Sequence, residues 1–126
     1  MIRVREYLDA RGRNVYRRWF DGLDVAAATK VTVALERIAA GNTSSIKSVG
    51  EGVSEYKIDF GPGYRIYFGK DGVQLVILLG GGTKKRQNQD IEDAKAAWRE
   101  YKELKKYALK QAEAKTEAKS KKAKRK

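Results

Sequence analysis

The chain has no cysteine and no histidine among its 126 residues. Without cysteine, disulfides, thiolate metal sites and cysteine nucleophiles are all excluded. Without histidine, the usual neutral-pH general base and the commonest metal ligand are missing as well. Neither a metal site nor a cofactor is expected, so any catalysis has to use Lys, Arg, Tyr, Glu or Asp. Long apolar runs are also absent: none approaches the roughly 18 residues needed to span a bilayer, and nothing near Met1 has the basic-then-apolar pattern of a signal peptide. The expectation is a cytoplasmic protein with no membrane partner.

What is abundant is positive charge. The formal net charge is +12, which points to a polyanionic partner, either nucleic acid or an acidic protein. That charge is uneven. Residues 102–126 hold eleven Lys/Arg against three Asp/Glu, a net of +8, whereas residues 1–101 carry only +4. The length suits one domain with a modest core. Beyond about Tyr107 the sequence turns into a Lys/Ala/Glu mixture with Leu109 as its one large apolar residue. We therefore expect a domain over 1–107 and a basic tail over 108–126, either disordered or a frayed helix.

Apolar spacing orders the rest. Ile2 to Tyr7 alternates as a strand. Asp9 is placed to cap a helix with Val15, Tyr16, Trp19 and Phe20 on one stripe, closed by Gly22. Asp24 caps a second helix, with Ala28, Val31, Leu35 and Ile38 at intervals of three and four and a stop at Gly41-Asn42. From Gly52 the period changes to two. Tyr56, Ile58, Phe60, Tyr64, Ile66 and Phe68 take one face, and Glu55, Lys57, Asp59, Arg65 and Tyr67 take the other, around a Gly61-Pro62-Gly63 turn. Lys70-Asp71-Gly72 signals a hairpin, and the nearly all-apolar stretch from Val73 to Leu79 reads as a strand covered on both faces. A last helix after Lys84 carries Ile91, Ala94, Trp98 and Tyr101. This order predicts an α+β fold: a small twisted, mainly antiparallel sheet with an N-terminal helical hairpin and a C-terminal helix, the helices on one face of the sheet.

Arg65 sits mid-strand within reach of Glu55 and Lys57. That arrangement is either an exposed cross-strand ion pair or an anion site in which the guanidinium fork engages phosphate oxygens. The second reading gains from Lys84, Lys85, Arg86 and Gln87, which a glycine-rich turn delivers just before a helix N-terminus. Gly80-Gly81-Gly82-Thr83-Lys84 does not match a nucleotide-binding loop, because its glycines are consecutive and its lysine follows the threonine. It reads instead as a turn where the backbone passes close to something. Trp19, Trp98, Tyr56, Tyr64 and Phe68 are expected in the core. Tyr67, in phase with Arg65, is either a surface for stacking a base or an exposed strand tyrosine. Glu55 and Asp59 share a face but lack the setting of a glycosidase pair. The lysine tail is either a solvated segment or an RNA-adhesive one.

Several motifs resemble the RelE/ParE toxins of bacterial toxin–antitoxin pairs, most closely the addiction-module killer proteins near the HigB-type toxins. They are Trp19-Phe-Asp-Gly-Leu23, Gly50-Glu-Gly-Val-Ser-Glu55, Gly61-Pro-Gly-Tyr-Arg-Ile-Tyr-Phe68, and Leu78-Leu-Gly-Gly-Gly-Thr-Lys84 with Gln87 and Asp90-Ile91. The resemblance spans roughly residues 1–103 and implies the RelE fold. It also implies a helix-turn-helix, HigA-like antitoxin as partner, with the ribosome and mRNA as targets. The implied activity is a ribosome-dependent mRNA endonuclease (an mRNA interferase) that inhibits translation. By that resemblance Arg65 and Lys84 stabilise phosphate charge and Glu55 orients a cation or acts as base, while Lys57, Tyr67, Lys85, Arg86 and Gln87 contact RNA. Two other readings stay open: a noncatalytic DNA gyrase inhibitor of ParE type, and an inactive basic RNA-binding module. The chain departs from the family pattern at Lys57, where arginine is common, and at Thr83, where an acidic residue is common.

Overall fold

The computed structural model describes residues 1–124, and the side chains of residues 1–118. The elements run β1 (Arg3–Glu6), α1 (Val15–Asp21), α2 (Val25–Ala39), β2 (Ile46–Gly50), β3 (Val53–Ile58), β4 (Tyr64–Lys70), β5 (Leu75–Thr83) and α3 (Gln87–Lys124), with a 3-10 turn at Lys84–Arg86 before α3. The five strands form one sheet in the order β1-β5-β4-β3-β2. Only the β1–β5 pair is parallel; the other three pairs are antiparallel. The α+β architecture thus has the mainly antiparallel sheet, the two N-terminal helices and the C-terminal helix that the periodicity predicts.

The helices do not share one face. Tyr56, Ile58, Ile66, Phe68, Val76 and Leu78 pack with Tyr16, Val31, Ala34 and Ile38 of α1 and α2. Val53, Tyr67, Ile77 and Leu79 point the opposite way and pack with Ala94 and Trp98 of α3. Strand residues alternate between faces, so the face that carries Glu55, Arg65 and Tyr67 lies under α3 instead of in solvent. The sequence expectation treated that face as polar because its charged residues outnumber its apolar ones.

Capping explains where the helices start. Asn14 accepts from the Arg17 amide and caps α1; Asp24 accepts from the Ala27 amide and caps α2. Asp9, expected to cap α1, instead accepts from the Arg11 and Arg13 amides and folds the preceding loop on itself. The edge strand β2 carries no clear sequence signal, since Lys47, Ser48 and Gly50 interrupt Ile46 and Val49. Gly80, Gly81 and Gly82, expected in a turn, belong to β5. The close approach expected there is real: a Cβ on Gly81 would stand 2.2 Å from the Trp19 ring, and one on Gly82 would stand 2.1 Å from the Asp90 carboxylate. Glycine is what lets α1 and α3 close on the two faces of the same strand.

The segment 108–126 continues α3 as far as Lys124, and its last two residues lie outside the described ones. Residues 102–118 are exposed without exception. Among the described residues no helix is long and apolar enough to cross a membrane.

Candidate anion site

The β3–β4 hairpin builds the site. Its register sets Lys57 opposite Arg65 and Glu55 opposite Tyr67, and β5 brings Gly82 beside Arg65. The turn at Gly61-Pro62-Gly63 closes the hairpin, with Gly63 at φ +80°, a conformation that disfavours any side chain. Beyond the end of β5, the 3-10 turn places Lys84 on the same side.

A cavity of about 380 Å³ opens there, lined by Lys57, Asp59, Phe60, Arg65, Lys84 and the hairpin glycines. Arg65 is only 6% exposed and Glu55 only 4%. The Arg65 Nε lies 3.7 Å from Glu55 Oε1, an ion pair without hydrogen-bond geometry. Its Nε and Nη1 are buried with no hydrogen-bond partner among the described residues. Each buried unsatisfied donor costs about 1–3 kcal/mol, so the fold carries an unmet polar cost at this guanidinium. Glu55 is itself held by Gln87, whose Nε2 donates to Oε2 at 3.0 Å. Gln87 is the first residue of α3, so that bond ties the helix start to the hairpin.

Tyr67 corrects the sequence reading. It is fully buried, and its hydroxyl finds no hydrogen-bond partner among the described residues. Burial, with help from the Glu55 carboxylate, pushes the phenol well above its usual value. A ring that α3 covers cannot stack on a nucleotide, so the expected RNA contact at Tyr67 is withdrawn; the residue belongs to the core under α3. The other expected residues divide by position. Lys57, Arg65 and Lys84 line one cavity, and Glu55 stands behind Arg65. Lys85, Arg86 and Gln87 line an adjoining depression of about 370 Å³ that shares Lys84 with the first. Lys57 also pairs with Asp59 at 3.6 Å, with both side chains more than half exposed.

Sequence reasoning missed two participants. Phe60, placed by alternation on the apolar face of the hairpin, has Lys30 over its ring at 5.3 Å and reaches the cavity wall. Asp90 is the second. It lies over Gly82, and burial raises its carboxyl above the ordinary aspartate value, with Arg86 acting against that rise and Asp93 with it. The absence of a side chain at Gly82 was the available signal for a group folded down upon the strand.

A family model described as phage-derived protein Gp49-like matches residues 18–102, two thirds of the chain. The matched span begins just before Trp19 and includes Glu55, Lys57, Arg65, Lys84 and Gln87. An uncharacterized protein of Haemophilus influenzae (strain ATCC 51907 / DSM 11121 / KW20 / Rd) is 42% identical over 78 residues. The aligned segment covers 61% of this chain and 79% of the relative.

Proposed function

The chain belongs to the phage-derived Gp49-like family, a RelE-like family of toxin–antitoxin systems, and on that premise we propose that it is a toxin cutting mRNA on the ribosome. A cognate antitoxin is the partner this family implies; we take it to be a helix-turn-helix protein of the HigA kind. The observation that carries the reading is the Arg65 guanidinium, buried with two donors unpaired, at a cavity walled by Lys57 and Lys84.

In this reading the ribosome holds the message in the decoding site and the cavity receives one phosphodiester. The ribose 2′-oxygen attacks the adjacent phosphorus, the bond from phosphorus to the 5′-oxygen breaks, and a 2′,3′-cyclic phosphate and a free 5′-hydroxyl result. The 2′-hydroxyl loses a proton and the leaving 5′-oxygen gains one. Arg65 and Lys84 stabilise the charge that grows on the phosphoryl oxygens between those events. A preorganised donor aimed at such charge is worth about 10²–10³ in rate. Glu55 fits an orienting role better than that of a base, because it is buried behind the guanidinium and bonded to Gln87. With histidine absent, proton transfer falls to lysine, carboxylate or water. The rate then depends on the alignment the ribosome supplies.

Induced expression with pulse labelling tests the reading. Methionine incorporation should stop within minutes while thymidine incorporation continues. Loss of thymidine incorporation first, with supercoiling inhibited in a purified gyrase assay, would replace this reading with the gyrase one.

A further inference from the structure

A second cationic cleft opens where α3 leaves the sheet. Trp98 presses the helix onto the strands: a Cβ on Gly69 would stand 2.5 Å from its ring, and one on Gly52 would stand 2.8 Å from its Nε1. Tyr101 stacks on Trp98 with ring centroids 5.0 Å apart. From Lys102 to Ala118 every residue is exposed, so the helix runs out past the turn that joins β4 to β5. A cavity of about 300 Å³ lies in that angle. Lys70 walls it from the strand side, and Lys102, Lys105 and Lys106 wall it from the helix side, beside the Trp98–Tyr101 pair. Tyr101 lies fourteen residues along the helix from Gln87, about 21 Å at 1.5 Å per residue, so this cleft is remote from the anion cavity.

The charges there do not cancel. The one carboxylate lining the cavity, Asp71, already accepts from Tyr101 and Lys105. Lys106 meets only Glu103, at 3.9 Å and with both side chains more than two-thirds exposed, a pair that contributes little. Lys70 and Lys102 form no ion pair among the described residues. Lys102, Lys106 and Lys110 then recur every fourth residue, about 6 Å apart along the helix axis. Such a row suits a polymer of evenly spaced negative charge. A membrane suits it poorly, because beyond Leu109 the helix has no apolar side chain larger than alanine to bury. Stacking on single-stranded bases needs a free ring. Trp98 is only 6% exposed, Tyr101 is engaged by Trp98 and Asp71, and the exposed Tyr107 lies half a turn around α3 from Trp98. Backbone phosphate is the ligand that remains.

We propose that this cleft grips the phosphate backbone of a nucleic-acid double helix, with Lys70 and Lys102 on the phosphates and the lysine row of α3 following the strand. Contacts of that kind fix position and carry no base sequence information. The family match stops at residue 102, so the row lies past the matched domain. The proposal does not depend on what the anion cavity catalyses.

The test titrates the full-length protein with labelled RNA and DNA duplexes of about 16 base pairs, with an oligouridylate of equal length and a polyglutamate peptide as comparisons. The cleft variant carries Lys70→Ala and Lys102→Ala. A control carries Arg18→Ala and Arg37→Ala, the same loss of charge on the helices of the opposite face. All four side chains are exposed, and circular dichroism checks that both variants stay folded. A duplex should bind and should shift the Lys70 and Lys102 amide resonances. The slope of log affinity against log salt should shrink by about 2 in the cleft variant, close to one per lysine, while the control keeps the wild-type slope. Binding of the RNA duplex alone, the DNA duplex alone or both supports the proposal and names the source of the helix. The proposal is overturned if neither duplex binds, or if the cleft variant loses no more than the control. It is also overturned if the oligouridylate or the polyglutamate binds as tightly as a duplex with the same dependence on Lys70 and Lys102, which would make the cleft a single-strand or an acidic-protein site.

Discussion

At the residue scale, Arg65 and Tyr67 separate what alternation can reveal from what it cannot. Their shared phase with Glu55 was legible in the sequence, and the register confirms it. Their burial was not, because it depends on α3, an element about twenty residues further on, folding back across the same face. The consequence for mutagenesis is direct. Arg65→Ala leaves Glu55 as a buried carboxylate without its cation, so it should cost stability on the scale of a broken buried pair, about 3–5 kcal/mol. Loss of activity in that variant would be uninterpretable alone. Arg65→Lys keeps the charge but not the fork; chemical denaturation should show a smaller loss of stability while activity still falls. Tyr67→Phe removes a buried hydroxyl that has no hydrogen-bond partner among the described residues. Stability should therefore hold or rise by up to about 1 kcal/mol, and RNA binding should not change. A drop in RNA affinity without unfolding would show that the ring reaches the nucleic acid after all.

At the element scale, β5 joins the two cores. Its glycine run signals a close approach, but only the fold shows which groups approach: Trp19 from α1 on one face and Asp90 from α3 on the other. Gly81→Ala puts a methyl into the Trp19 ring. Thermal denaturation should show an overpacking loss of about 1–3 kcal/mol or more. Gly72→Ala is a useful contrast: nothing lies within 4 Å of its missing Cβ, so its cost should come only from the strained φ of +73°. β2 was illegible for the opposite reason. An edge strand of five residues with two inward apolar positions gives too little alternation to separate it from a loop. The turn between β2 and β3 holds Glu51 at φ +54°, and Arg99 of α3 pairs with its carboxylate at 2.6 Å.

At the scale of the whole molecule, charge is the organising quantity. Arg17 holds the Glu6 carboxyl below its usual value, and Lys105 with Tyr101 does the same for Asp71. Stability from such depressed carboxyls is present above their unfolded values, near 4, and is lost as pH falls through the folded ones. Glu6→Gln should therefore flatten the acid limb of a Tm-against-pH profile. Asp90 has the opposite sign: burial raises its carboxyl, so its charged form opposes folding. Asp90→Asn should raise Tm at neutral pH, and the advantage should vanish in acid. The wholly exposed course of residues 102–118 leads us to expect that deleting 108–126 leaves Tm nearly unchanged. That deletion removes a net charge of +6 and should reduce the salt dependence of RNA binding. The measurement that tests the central claim most directly is primer extension on mRNA in a reconstituted bacterial translation reaction, comparing the wild-type protein, Arg65→Lys and a ribosome-free control. The account predicts new ends at codon-spaced positions with wild-type protein and ribosomes, at least about tenfold fewer with the variant, and none without ribosomes. Intact message in every tube, or equal cleavage by the variant, would contradict it.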